Sequence, residues 1–279
     1  MRTIEKITRM QSTSNTLRME GKTISLVPTM GALHSGHLQL IARSVELADV
    51  CVVSIFINPL QFAQNEDLNK YPRDIDGDLN KMNSLGVDYV FIPAPDEMYP
   101  DGFQTHVEVS SLQEHLCGPF RPGHFRGVCT AVLKLFNIVK PHVAVLGEKD
   151  YQQLKIIQQM VRDLSLDVDI VAHETLREEN GLAASSRNSY LPPADRERAG
   201  GLYTALRKIK MEFENGQRNT ELLIALGKKV LSDMSIEDID YMEICDCETL
   251  ESKKEAKSGD LVALALKIGG ARLIDNLRL

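Results

Sequence analysis

What the chain lacks narrows its identity first. It has five cysteines, at positions 51, 117, 129, 245 and 247, and no pair in a Cys-x-x-Cys arrangement. That spacing argues against a structural zinc knuckle or a dithiol redox centre and favours reduced thiols in the cytosol. Cys245 and Cys247 flank one aspartate and are expected to share one face of a strand. The positively charged excess of a nucleic-acid or anionic-membrane surface is also missing, because the net charge is −7. No apolar run is long enough to span a bilayer, and "MRTIEKITRMQSTSNTLR" lacks the apolar centre of a secretory leader. Low-complexity tracts and repeats are absent. Several catalytic fingerprints are missing too: Gly-x-x-x-x-Gly-Lys-Ser/Thr, Gly-x-Gly-x-x-Gly, Gly-x-Ser-x-Gly and His-Glu-x-x-His. The missing dinucleotide glycines disfavour an ordinary dehydrogenase.

What remains is an ordinary globular chain of 279 residues, 43% apolar and 25% charged, large enough for one big domain or two. Apolar runs of strand length alternate with amphipathic helical segments through the first two thirds. "TISLVPT", "VCVVSIFIN", "YVFIPA", "VAVLGEKD" and "DVDIVAHET" read as strands, and "THVEVS" as a short extra one. Between them lie helical patterns. These are "GHLQLIARSVELAD", with Leu38, Ile41, Val45 and Ala48 on one face, a stretch near 74–85, "RGVCTAVLKLFNIVK" stopped by Pro141, and "DYQQLKIIQQMVRDL". Strands apolar on both faces, alternating with helices, imply a Rossmann-like α/β domain with a parallel sheet covered on both sides. After "SSRNSYLPP" the composition changes. Two charge-rich helices within 194–234 precede three strands, "DIDYMEICD", "LVALALKI" and "ARLIDNLRL", which suggests a smaller α+β domain. The expected division is 1–175 and 176–279, with the polar loop 177–193 at the entrance to the second part.

In an open parallel sheet, ligands bind beyond the carboxyl ends of the strands. Four segments lie just past predicted strand ends: "PTMGALHSGH", "NPLQF", "GEKDYQQ" and "ETLREENGLAASSRN". In the first, His34 lies in a loop and His37 in the first helical turn. Free amides and partial positive charge at a helix start suit phosphate, and Gly31 and Gly36 permit close approach. A metal site would need a third ligand, and none is at hand. In "GEKDYQQ", Lys149 could reach phosphate, and Asp150 could cap the helix or accept from a ribose hydroxyl; plain capping beside a solvated lysine fits equally well. Arg187 of "SSRN" could clamp a departing pyrophosphate, although a hydrogen-bonded turn would explain that segment by itself. Asn58 and Gln61 offer neutral amides to a small polar substrate, with Asn58 also suited to a turn before Pro59.

The motifs "PTMGALHSGH", "FINPLQF", "YPRD", "RPGHFRGV", "GEKDYQQL" and "SSRN", in this order, resemble the pantoate–β-alanine ligase family of the His-x-Gly-His nucleotidyltransferases. The resemblance runs from about residue 20 to the C-terminus. It implies attack of pantoate on the α-phosphorus of ATP, giving pantoyl adenylate and pyrophosphate. The amine of β-alanine then displaces AMP. It also implies Mg²⁺ with the nucleotide, a homodimer, and a second domain that lids the site, with "SSRN" the counterpart of a mobile loop.

Carried onto this chain, the resemblance implies ATP contacts from Met30, Gly31, Ala32, Leu33, His34, Ser35, Gly36 and His37. His37 stands as proton donor beside His34. Gly147, Glu148, Lys149 and Asp150 would take the ribose and phosphates, Leu176 the adenine side, and Ala184, Ser185, Ser186 and Arg187 would close over the phosphates. Gln61 and Gln153 would hold pantoate, Gln61 also touching β-alanine. Asp78 would be an outer-sphere magnesium residue, although Gly77 breaks the acidic pair seen in relatives. Cys117 stands where some relatives carry glutamate. The alternatives are another nucleotidyltransferase of the same superfamily, which would want basic residues near "NPLQF", and a nucleotide-binding protein that has lost catalysis, which would show lesions among the histidines, Lys149 or Arg187. Neither departure is present.

Overall fold

The computed structural model describes residues 1–63 and 66–279. The chain divides into two compact units. The first comprises 1–109, 121–148 and 153–174, and the second comprises 110–120, 149–152 and 175–279.

The first unit holds a six-stranded sheet in which every pairing is parallel. Its strands are β1 (Arg2–Ile4), β2 (Ile24–Thr29), β3 (Val50–Ile55), β4 (Tyr89–Phe91), β5 (Val143–Gly147) and β6 (Asp169–His173). Their spatial order is β1-β4-β3-β2-β5-β6. All six residues of β3 are buried, as a strand covered on both faces requires. The helices are α1 (Ile7–Met19), α2 (Ser35–Leu47), α3 (Ile75–Met82), α4 (Pro95–Met98), α5 (His124–Val139) and α6 (Tyr151–Asp163), the last belonging to this unit from Gln153 onward. On one side of the sheet Ile41 and Met82 pack with Val27, Val53, Val90 and Val145 into a continuous apolar layer. From β2 the chain proceeds to one side, through β3 to β4, and then returns to place β5 on the other side of β2. The junction of β2 and β5 is therefore the switch point of the sheet, where a crevice opens beyond the strand ends.

One sequence expectation needs correction here. "THVEVS" forms no strand; the Val107 N–H donates to Thr130 Oγ1 (3.1 Å) instead. The N-terminal segment contributes β1, which pairs with β4, and α1, whose Met10 is fully buried. Neither has a strong period in the sequence.

In the second unit, α7 (Pro193–Ala199), α8 (Gly201–Glu214) and α9 (Thr220–Asp233) precede an antiparallel sheet of β7 (Ile239–Cys245), β8 (Leu261–Ile268) and β9 (Ala271–Arg278). Three helices thus stand where two are expected, because Pro193 starts a separate short one. Leu206, Ile209, Leu223 and Leu231 pack on Ile244 and Leu264. At Gly227 an added Cβ would lie 2.6 Å from Ile209 Cδ1, so the helices pack closely there because this residue has no side chain. Cys245 closes β7 and is buried, whereas Cys247 lies in the turn beyond and is part-exposed, so the two do not share a strand face.

Candidate active site

In the first unit, β2 delivers its chain into the loop 30–34, and α2 begins at Ser35. Gly31 (φ 79°) and Ala32 (φ 50°) are both left-handed, a conformation an alanine adopts at a cost. Asp78 of α3 holds the loop in that shape. Its two oxygens accept the N–H groups of Ala32 and Leu33, each at 2.7 Å, and the carboxylate is 1% exposed. Lys81 adds a bond to the Leu33 carbonyl (2.8 Å), and Thr29 Oγ1 accepts from the Gly31 N–H (3.1 Å).

Asp78, the expected outer-sphere magnesium residue, is bonded to the loop backbone. The carboxylate shapes the loop, Lys81 lies 3.5 Å from it, and no group of three or more His, Cys, Asp or Glu suited to a metal occurs among the described residues. The amides of Ala32 and Leu33 donate to Asp78.

His34 and His37 come together at the start of α2, their ring centroids 3.9 Å apart. The His34 N–H donates to His37 Nδ1 over a long 3.4 Å. A neutral His37 that accepts at Nδ1 carries its proton on Nε2, the end suited to donating to a phosphate oxygen. Ser35 and Gly36 supply the first helical amides, which have no acceptor inside the helix. Gly147, at the end of β5, lies under α2, where its added Cβ would sit 3.9 Å from Leu40 Cδ1. Glu148 follows directly. The ends of β2 and β5 thus meet at the switch point.

Gln61 ends a short 3-10 turn, Pro59–Gln61, after β3. Its carbonyl Oε1 accepts from Asn58 Nδ2 (2.9 Å), and its Nε2 points at Met30 Sδ (3.2 Å), a weak acceptor. Asn58 is 2% exposed and fully engaged. Nδ2 donates also to the Gly127 carbonyl (3.0 Å), while Oδ1 accepts from the Leu60 N–H (3.2 Å) and the Tyr99 hydroxyl (2.8 Å). Burial raises the Tyr99 pKa, which keeps the phenol protonated as a donor. At Gly127 an added Cβ would lie 2.2 Å from the Leu60 oxygen, so α5 can carry only glycine where the turn crosses it. Gln153 is half-buried on α6. A cavity of about 320 Å³ borders Met30, Ala32 and Asp78, but neither histidine nor Gln61 lines it.

In the second unit, Lys149 and Asp150 lie in a 3-10 turn, with Lys149 Nζ 3.9 Å from the Asp150 carboxylate. The Lys149 carbonyl accepts from Asn276 Nδ2 (2.9 Å). Gln152 is buried; it accepts from the Cys117 N–H and donates to the Leu112 and His115 carbonyls.

The segment carrying Leu176 and Arg187 is more structured than a polar loop. Arg177 and Ala183 form an antiparallel bridge, the Ala184 N–H donates to the Leu176 carbonyl (2.9 Å), and Gly181 (φ 89°) makes the turn. Ser185 caps the 3-10 turn Ser186–Tyr190 by accepting from the Arg187 N–H (3.3 Å). Buried Asn188 donates to Glu178 (2.8 Å) and to the Ala183 carbonyl (3.0 Å), tying turn to hairpin.

Asn58 as a keystone, Gly127, Tyr99, Arg121 and His124 are the site-shaping residues that local patterns do not expose. "RPGHFRGV" was a visible motif for Arg121 and His124, with no visible role.

A parallel sheet whose switch point carries a histidine-bearing helix start defines a nucleotide-binding α/β enzyme. Residues 2–278 match the model of the pantoate-beta-alanine ligase family. The chain is 48% identical over 277 residues to the pantothenate synthetase of Thermosipho africanus, covering 99% of both chains. It is 49% identical over 268 residues to that of Thermodesulfovibrio yellowstonii, covering 96% of both. Among solved structures, pantothenate synthetase from Thermus thermophilus superposes with a TM-score of 0.94 at 40% identity, covering 99% of each chain. A Francisella tularensis pantoate-beta-alanine ligase, solved in complex with "Beta-gamma ATP" and β-alanine, superposes with a TM-score of 0.84 at 36% identity, covering 100% of this chain and 97% of the other. The chain belongs to the pantoate–β-alanine ligase family, and is a carbon–nitrogen bond-forming enzyme of pantothenate biosynthesis.

Proposed function

We propose that the enzyme uses ATP to condense pantoate with β-alanine, through pantoyl adenylate. A carboxylate oxygen of pantoate attacks the α-phosphorus, and pyrophosphate leaves. The β-alanine nitrogen then attacks the acyl carbon, loses a proton, and AMP leaves. The observation that carries this reading is the His34–His37 pair at the start of α2, on a chain that matches the ligase family over residues 2–278.

A carboxylate is a poor nucleophile toward an anionic phosphate, so the protein must align the two and offset the charge that builds up. His37 Nε2–H, His34, Lys149, Arg187 and the amides of Ser35 and Gly36 are the groups assigned to the phosphates. Gln61 and Gln153 are assigned to pantoate. The Gln61 oxygen is committed to Asn58, so Gln61 offers its N–H to a hydroxyl or carboxylate. Neutral amides orient a carboxylate without a salt bridge that would blunt its nucleophilicity. Gly147, Glu148, Asp150, Leu176, Ala184, Ser185 and Ser186 are assigned to the nucleotide. Mg²⁺ arrives as part of the MgATP substrate. No helix among the described residues is long and apolar enough to cross a membrane. The resemblance leads us to take the enzyme to be a cytoplasmic homodimer.

The test adds MgATP and pantoate first, and β-alanine later. Pyrophosphate should appear in an amount matching the enzyme before the amine is present, and AMP should accumulate after it. Pyrophosphate release that waits for β-alanine would overturn the adenylate route.

A further inference from the structure

The motif "RPGHFRGV" has no part in the chemistry above, yet it lies against Gln61. His124 opens α5 and is 8% exposed. Its Nδ1 lies 2.8 Å from the Gln61 carbonyl oxygen, and its Nε2 lies 3.0 Å from Arg121 Nη1. Each partner has one hydrogen-bonding sense. A carbonyl oxygen only accepts, so Nδ1 must carry a proton. A guanidinium only donates, so Nε2 must present a lone pair. Both contacts can hold together in one ring form alone: neutral and protonated at Nδ1. His37, which accepts at Nδ1, has the opposite form.

The surrounding charges fix the arrangement. Arg121 approaches from the loop before α5. Its Nε and Nη2 bind both oxygens of Glu66 (2.7 and 2.6 Å), and Nη2 also reaches the Gln61 carbonyl (3.3 Å). Glu66 faces the ring through Arg121. The turn Pro59–Gln61, which packs on α5, brings neutral groups only, and Phe125 stacks edge-on to the ring at 4.8 Å. Arg18 of α1 bonds the Lys140 carbonyl, at the far end of α5. Protonating Nε2 would remove the acceptor for Arg121 and set two cations 3.0 Å apart, while both Glu66 oxygens are already taken.

We propose that His124 is a positioning residue that must stay neutral, and that with Arg121 it holds the Gln61 main chain so that acid weakens pantoate binding through this ring. The pantoate part rests on the role assigned to Gln61 above.

The test uses the full-length enzyme labelled with ¹⁵N-histidine, with the His124 signals assigned by their loss in His124→Asn. At pH 7.5 they should show a neutral ring protonated at Nδ1. A ring protonated at Nε2, or a charged one, overturns the inference whatever Gln61 does. In kinetics, the pantoate KM of the wild type should rise as pH falls from 7.5 to 5.5. Asn keeps a donor at the Nδ1 position and has nothing to protonate, so His124→Asn should flatten that rise. His124→Leu, which lacks the donor, should raise pantoate KM by about tenfold across the pH range, with kcat changed much less. A wild-type acid profile in His124→Asn overturns the pH link. If the ring proves Nδ1-protonated but Gln61→Ala keeps a wild-type pantoate KM, the pantoate reading falls and the proposed pH effect falls with it, while the ring assignment stands.

Discussion

Asn58 and Gln61 meet amide to amide, with Asn58 Nδ2 donating to Gln61 Oε1 over 2.9 Å, and this contact leaves Gln61 Nε2 turned toward Met30 Sδ. Because Asn58 is 2% exposed and makes four hydrogen bonds, its loss leaves several buried partners unsatisfied. Asn58→Ala should therefore destabilise the protein by about 2–3 kcal/mol and raise the pantoate KM, as seen by denaturant titration and steady-state kinetics. Tyr99→Phe deletes one of the four bonds and should cost about 1 kcal/mol. Equal pantoate KM values in Asn58→Ala and wild type would detach this amide pair from substrate.

Asp78 offers a second test, because its two oxygens serve two backbone donors. An asparagine has one acceptor oxygen and must turn its NH₂ toward one of those donors. Asp78→Asn should cost about 1–3 kcal/mol and slow pyrophosphate release, while the Mg²⁺ concentration needed for half-maximal rate stays where it is. A large rise in the Mg²⁺ requirement would tie Asp78 to the metal.

Glu66 sets an acid limit on stability. Burial opposes its ionisation, but the bidentate Arg121 outweighs that and holds the carboxyl below the usual range. A carboxyl with a depressed folded pKa contributes fully above its unfolded value of about 4.3, and the contribution disappears as pH falls through the folded value. Glu66→Gln should thus lower stability by about 1–2 kcal/mol at pH 7, with the gap closing below about pH 4. A gap that persists in acid would mean the loss is one of packing.

His37 carries the prediction nearest to the chemistry. His37→Ala should lower the rate of adenylate formation by roughly 10² to 10³, the usual loss for one donor aimed at developing charge. Rapid-quench measurement of pyrophosphate, with pantoate saturating, separates this from weaker binding. A wild-type rate would take His37 out of the mechanism.

The α/β plan was legible because buried parallel strands are apolar on both faces, as in "VCVVSI", and because helical periods fall between them. The histidine pair at the helix start was legible because a strand, a glycine and a helix start are all local features. What local pattern could not show is contact across distance. Asp78 shows no partner in the local sequence, because Ala32 and Leu33 lie more than forty positions earlier. His124 reaches the main chain of Gln61 across 63 positions. Gly127 reads as a mild fault in a good helix until the Leu60 carbonyl is seen against it. "THVEVS" alternates like a strand and finds no neighbour, because alternation records which faces are wet and not whether a partner edge exists.

The pairing of Ser25 with Val143 spans 118 positions and has a consequence for biosynthesis. While the ribosome is still short of Val143, β2 has β3 on one side and an open edge on the other, so the sheet can be extended by a foreign strand. Such a late, non-local closure slows folding and lengthens that exposure. A chain stalled before this point would lack the strand whose end completes the nucleotide crevice, and would be a substrate for chaperones rather than an early form of the enzyme.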